Sequence, residues 1–409
     1  MADPHPIPFN KPALAGRESE YLLDAVDRMH ISGDGYYTGR CHELLEEMLQ
    51  AQRVLLTTSC TTALEMAALL LEIEPGDEVI MPSFTFVSTA NAFALRGARI
   101  VFADIDPNTL NIDPDHVRSL VTERTRAIVP VHYAGVACDM DAIMAIARDH
   151  GVPVIEDAAQ ALGASYRDVP LGTIGSIGTL SFHETKNAIC GEGGAIILND
   201  EALVSRAEII REKGTNRASF FRGEVDKYTW CDLGSSMLPS DLLAAFLYGQ
   251  LENIEHLNSR RMMLWNRYQD AFKSLAERDD VDVPVIPEYA SHNAHLFALR
   301  VADLEQRSNL ISWLKARGIG SVFHYVPLHL SAMGQSMGGK EGQLPVTERE
   351  HERLLRLPLF PTLDVGDQDR VIAEVCAALG AKAGKPKVRV ETFGVELDVR
   401  SVRPAQPEV

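Results

Sequence analysis

The stretch Val154-Ile155-Glu156-Asp157-Ala158-Ala159-Gln160 runs an apolar strand straight into a carboxylate. Outward from it, the chain alternates strand and helix. After a Pro75-Gly76-Asp77 turn come a strand at Glu78 to Met81, a helix at Thr85 to Leu95 and a strand at Arg99 to Ala103. Asp113-Pro114 caps a helix to Val121, with proline at its first position. Arg126 to Val131 reads as a strand, and Met140 to Asp149 as a helix with Met140, Ile143 and Ala147 on one face. Repeated βα units of this length predict a mainly parallel sheet with helices on both faces. Ligands of such sheets bind beyond the carboxyl ends of the strands. That places Pro82 to Phe86, His132-Tyr133 and Asp157 to Gln160 around one point.

Downstream lies Ser181-Phe182-His183-Glu184-Thr185-Lys186-Asn187, ahead of Gly191-Glu192-Gly193-Gly194. Thr179 to Phe182 and Ala195 to Leu198 read as strands flanking this loop, a hairpin-like pair at one side of the site. Upstream, Val54-Leu55-Leu56 is a short strand that Thr57 to Thr62 turns into a helix at Ala63 to Leu71. Strand, small polar loop and helix start suit a phosphate, although Ser/Thr caps are common enough for a plain cap to be favoured on this signal alone.

The 409 residues predict more than one domain: an N-terminal segment and large domain over 1–250, a bridging helix and smaller α/β domain over 251–380, and an extension over 381–409. Helices are expected at Glu18 to Met29 and His42 to Gln50, separated by a glycine-rich turn, Ser32 to Gly39, that is not helical. Residues 200–212 read as a helix and 213–238 as a long polar, aromatic-rich connection. Ser240 is expected to cap one long helix through Leu247, Leu251, Leu257, Leu264 and Phe272. Beyond it come a strand near His295 to Val301, a helix at Leu304 to Arg317, a strand at Val322 to Tyr325, a flexible segment at Gly334 to Gly342 and a last helix at Asp367 to Leu379.

An apolar share of 46% and a charged share of 23% suit a soluble globular chain. The net charge of −18, without a lysine or arginine block, makes nucleic acid and anionic membranes poor partners. The six cysteines form neither CxxC nor metal-ligand spacing, which predicts no metal site and reduced thiols in a cytoplasmic protein. No signal peptide and no membrane-spanning run is expected.

A lysine beside a strand-end aspartate suggests pyridoxal phosphate (PLP). The Lys186 amine condenses with the cofactor aldehyde, and the Asp157 carboxylate keeps the pyridine nitrogen protonated. Phe86 or Phe84 is suited to stack on the ring, Gln160 to reach its phenolate oxygen, and Thr61, Thr62 and Ser181 to hold the phosphate. Each residue alone also has a plain structural reading as cap, core or surface. It is their order and common placement at strand ends that favours a site.

These motifs resemble the DegT/StrS family of PLP-dependent sugar aminotransferases. The resemblance is carried by Pro82-Ser-Phe-Thr-Phe-Val-Ser-Thr-Ala-Asn91, Val131-His-Tyr-Ala-Gly135, Glu156 to Gln160, Ser181 to Asn187, Glu192-Gly-Gly194 and Phe323-His-Tyr-Val-Pro-Leu-His329. It implies the aspartate-aminotransferase-like α/β fold (fold type I), with Lys186 and Asp157 catalytic and Thr61, Thr62, Phe86, Gln160 and Ser181 on the cofactor. It further implies a homodimer with shared active sites. Where many members have a Tyr-Asn motif, this chain has Gly234-Ser235-Ser236-Met237, so Ser236 is expected to take the asparagine's place on the phosphate of the neighbouring subunit.

Within the family, Ile31-Ser-Gly-Asp-Gly35, Leu64 to Ala68, Arg211 to Arg217, Phe220 to Gly223 and Asp226 to Trp230 resemble the enzymes that aminate C4 of a dTDP-4-keto-6-deoxyhexose with L-glutamate, releasing 2-oxoglutarate. Expected substrate contacts are Lys11, Tyr36, Arg217, Arg222, His324, Tyr325 and His329. For His324 and His329 a purely structural role is nearly as well supported. The alternatives are amination at C3 or of a cyclitol, a PLP-dependent sugar dehydratase, against which lysine at 186 argues, and a non-catalytic regulator.

Overall fold

A computed structural model describes residues 5–381 and 384. Ile155–Asp157 pairs in parallel with Ile177–Ser181, which runs antiparallel to Gly194–Leu198. Arg99–Ala103, Glu78–Pro82 and Thr125–Ile128 form a parallel set with Glu78–Pro82 in the middle. Parallel bridges from Ile128 to Val154 and from Val131 to Asp157 join the two sets into one layer, in which only Gly194–Leu198 is reversed. The mainly parallel α/β reading is borne out.

The strands flanking Lys186 do form an antiparallel pair, with Leu180 opposite Ala195. They are not the edge of the sheet, because Arg53–Thr57 pairs outside Gly194–Leu198. Val54, Leu55 and Leu56 are buried on both faces of that strand, so it must enter the layered core, and the free edge of Gly194–Leu198 receives it.

One face of the layer is covered by helix Met140–His150 through Ile143 and Ile146, and by Leu45 of a preceding helix. The other is covered by Cys60–Leu70 through Leu64 and Met66, and by Phe93 of Val87–Ala94. Each such fully buried side chain stabilises the fold by about 1.5–3 kcal/mol.

Two helix expectations are corrected. Helix Tyr36–Leu49 begins inside the segment expected to be a non-helical turn. The reason is distant in sequence: the buried Asp241 carboxylate accepts from Tyr37 N at 3.2 Å and from Thr38 N and Oγ1 at 2.8 Å, satisfying the first-turn donors. Ser240 caps as expected, accepting from Leu243 N, but the long helix is two, Asp241–Leu251 and Ile254–Ala271. Asn253, between them, turns its amide back onto Gly249 O at 3.1 Å instead of continuing the ladder.

The C-terminal part is built on an antiparallel sheet of Phe297–Arg300, Leu354–Leu357 and Val322–Phe323, with Leu354–Leu357 in the centre. Helices Leu304–Lys315, Val365–Ala378 and Ile254–Ala271 pack on it around Phe297, Leu314, Val371, Tyr268 and Phe272. The start of the chain joins this part, for Ile7 bridges to Ile319 and is buried in the same core.

The Gly334 to Gly342 segment, expected to be flexible, opens with helix Ala332–Ser336 capped by Ser331. Gly334 and Gly339 lie against the backbone of Leu328 and His329, where a Cβ would collide, so these two glycines serve close packing. Expectations for 381–409 fall outside the described residues, except 381 and 384. Among the described residues, no helix is long and apolar enough to cross a membrane.

Candidate active site

A cavity of about 650 Å³ opens beyond the carboxyl ends of the large sheet and is closed from the other side by the small sheet. Asp157 ends its strand and is 5% exposed, with its side chain on the cavity wall. Thr89 donates its hydroxyl to Asp157 Oδ2 at 2.8 Å, and Ala159 N donates to Oδ1 at 3.2 Å.

Glu156, one residue earlier and therefore on the opposite face, anchors the strand. It accepts from Gly172 N, Ile174 N and Gly175 N at 2.6–2.8 Å and pairs with His132 Nε2 at 2.9 Å. Cys138 N donates to His132 Nδ1 at 3.2 Å, so Nδ1 is the acceptor and Nε2 carries the hydrogen that Glu156 takes.

Lys186 lies across the cavity, on the loop between the antiparallel strands. The next residue, Asn187, pins that loop: its amide donates to Asn258 Oδ1 and Asn293 O, and its Oδ1 meets His295 Nδ1 at 2.9 Å. Burial lowers the Lys186 pKa, Cys60 and Asp157 oppose the shift, and the Arg356 guanidinium adds to it. A lysine amine with a lowered pKa is the form that attacks a carbonyl.

Gln160 Oε1 accepts from Ala134 N at 2.7 Å, and its Nε2 donates to the Tyr325 hydroxyl at 3.1 Å. Burial pushes Tyr325 up to about 12 and His324 down to about 2, so a neutral phenol and a neutral imidazole stack at 3.7 Å between centroids. Phe86 is 59% exposed at the cavity wall, leaving a ring face free.

Thr61 and Ser181 line the cavity; Thr62 does not, and instead shares hydrogen bonds with Thr58 and Ser59 under the helix start. Gly194 presses on the Ser59–Cys60 backbone, where no Cβ fits, and holds the N-terminal turn of Cys60–Leu70 at the cavity.

The structure does not bring the other expected residues to this cavity. His329 is 0% exposed, bonded to Ser83 Oγ through Nδ1 at 2.7 Å and paired with Glu348 through Nε2 at 3.0 Å, so both ring nitrogens are taken up within the protein. Tyr36 lies in a separate groove under the Arg28 guanidinium. Arg217 pairs with Glu212, and Arg222 with Glu208 and Glu224. Ser236 is exposed and bridges to Glu212, and Lys11 meets Lys186 only at a small neighbouring cleft.

Sequence reading missed Thr89, His295 and Arg356. For Thr89 a signal existed, since Thr85, Ser88 and Thr89 make a polar start to the segment that leaves the strand end at Pro82. For Arg356 the only signal is a charge interrupting Leu354, Leu355 and Leu357.

Residues 12–376 match the DegT/DnrJ/EryC1/StrS aminotransferase family. The chain belongs to that family. It is 35% identical over 379 residues to the spore coat polysaccharide biosynthesis protein SpsC of Bacillus subtilis, covering 91% of this chain and 96% of that one. The aminotransferase TlmJ from Streptoalloteichus hindustanus superposes with a TM-score of 0.83 at 32% identity, over 91% of this chain and 99% of that one. The PMP-form of Spr1654 from Streptococcus pneumoniae superposes with a TM-score of 0.85 at 26% identity, over 91% and 98%, and its PLP-form has also been solved.

The expected aminotransferase fold and the expected cofactor, pyridoxal 5'-phosphate, are borne out. The residues present fit that cofactor. An amine and a buried carboxylate share one cavity with an exposed aromatic face, and a helix start lies against a glycine that admits no side chain.

Proposed function

We propose that this aminotransferase acts on a nucleotide-linked keto sugar. L-Glutamate gives its amine to C4 of a dTDP-4-keto-6-deoxyhexose, leaving 2-oxoglutarate and a dTDP-4-amino-4,6-dideoxyhexose. This is the reaction of the dTDP-4-amino-4,6-dideoxygalactose transaminases. The observation that carries the reading is the Lys186 amine sharing one cavity with the Thr89-bonded Asp157 carboxylate. Lysine at 186, where the sugar dehydratases have histidine, favours delivering an amine over removing a hydroxyl.

Bound PLP supplies an aldehyde for the amine and a cationic ring that draws electrons from the carbon being deprotonated. Lys186 Nζ takes and returns the proton at that carbon, which its lowered pKa favours. Asp157 presents its carboxylate to the ring nitrogen. Phe86 covers one ring face and Gln160 stands by the phenolate oxygen. Thr61, Ser181 and the start of Cys60–Leu70 receive the phosphate, with Thr62 bracing that turn.

In this reading the protein is a cytoplasmic homodimer with a large unit over 1–250 and a small one over 251–380. Ser236, Tyr36, Arg217 and Arg222, exposed on their own chain, act at the neighbouring subunit's site. His324 and Tyr325 serve the substrate from the cavity wall, and Lys11 from the small cleft on the other side of Lys186.

The test is incubation with dTDP-4-keto-6-deoxyglucose and L-glutamate, following 2-oxoglutarate and assigning the product by NMR. An amine at C4 is expected. Turnover only with a 3-keto sugar or a cyclitol ketone would overturn the assignment.

A further inference from the structure

Among the described residues, Arg356 is a cation without an anion. It projects from the middle strand of the small sheet, between Ala298 and Val322, into the wall of the cavity that Lys186 also lines. Its guanidinium lies 4.7 Å from the centroid of the Phe9 ring. One Nη donates to Phe323 O at a long 3.4 Å, and Nε is buried without a partner. Among the described residues no carboxylate stands within ion-pair distance of it, whereas Arg353 on the same segment is paired with both Asp282 and Glu350. The acids of the cavity wall are Asp157, engaged by Thr89, and Glu192, whose near neighbour is His183 at 3.8 Å. A guanidinium held largely out of water with donors unused is costly unless an anion meets it.

We infer that Arg356 binds a carboxylate of the amino donor, taking it on the parallel N–H pair of its fork. This rests on the proposed transfer from an amino acid. A carboxylate lies one bond from the carbon bearing the donor's amine, whereas the diphosphate of a nucleotide sugar lies across the hexose ring from C4. An anion receptor on the wall of the cavity that also holds Lys186 therefore suits the donor. Arg356 is then the residue that admits amino acids to the cavity and excludes simple amines.

The test uses the PLP-loaded protein and glutarate, a dicarboxylate with no amine to transfer, titrated by calorimetry. Wild type binds it, Arg356→Gln weakens binding at least 30-fold, and Arg356→Lys, which keeps the charge without the fork, about tenfold. In stopped-flow half-reactions, Arg356→Gln lowers kcat/KM for L-glutamate about 100-fold and leaves the reaction of the PMP-form with dTDP-4-keto-6-deoxyglucose within threefold.

Unchanged glutarate binding, or equal losses in both half-reactions, would overturn the inference, the latter pointing to the diphosphate. If Arg356→Gln does not fold, the Arg356→Lys titration decides by the same criteria. Arg356-dependent glutarate binding without any keto-sugar turnover would leave the carboxylate site standing and remove the sugar reading.

Discussion

The Thr89 hydroxyl donates to Asp157 Oδ2 at 2.8 Å, and Thr85 Oγ1 lies 2.9 Å behind it, so a threonine of helix Val87–Ala94, backed by one just ahead of that helix, aims the carboxylate at the end of the Ile155–Asp157 strand. Removing the donor leaves a buried carboxylate short of a partner, a cost of about 1–3 kcal/mol. Thr89→Val is expected to lose that much in urea unfolding and to lower kcat roughly tenfold by the loss of aim, about 1.4 kcal/mol in the barrier. Thr89→Ser should restore both. Unchanged kcat in Thr89→Val would show that Asp157 needs no such support.

The His132–Glu156 pair lies beneath the site: Cys138 N donates to His132 Nδ1 at 3.2 Å, and the ring meets Glu156 through Nε2 at 2.9 Å. His132→Leu leaves the Cys138 N–H and the Glu156 carboxylate each one partner short and is expected to lower the unfolding free energy in urea by about 1–3 kcal/mol. An unchanged urea midpoint would show that the Asp157 strand needs no such anchor.

Gly194 admits no Cβ against the Ser59–Cys60 backbone. Gly194→Ala is expected to cost about 1–3 kcal/mol as an overpacked position. Because the displaced backbone opens helix Cys60–Leu70, the variant should also release PLP on dialysis faster than wild type. Loss of stability with normal cofactor retention would separate the glycine from the phosphate end of the site.

His329, fully buried between Ser83 and Glu348, is expected to matter for folding and not for substrate. His329→Leu should lower the unfolding free energy by about 1–3 kcal/mol, since both partners lose a bond. KM for either substrate should stay within about twofold of wild type. A tenfold rise in KM for the sugar would restore its substrate role.

Much of the fold was legible because period and punctuation agree along the βα units: Asp113-Pro114 caps the helix it was expected to cap, and Met140–His150 is amphipathic in register. Legibility failed where the deciding partner is remote. Helix Tyr36–Leu49 starts early because Asp241, 203 residues beyond Thr38, supplies its cap. Leu354–Leu357 abuts helix Pro345–Arg353 with no turn residue between them to mark it.

By itself the sequence determined the parallel α/β class, the strand-end position of Asp157 and Gln160, and Lys186 as the amine to pair with them, because these follow from local periodicity and chain order. Only the tertiary structure decided that Thr89 meets Asp157, that His329 is buried between Ser83 and Glu348, and that Arg356 meets the cavity with no carboxylate of the described residues beside it. Burial and ion pairing depend on what other elements bring within a few ångströms, and local pattern carries no record of that.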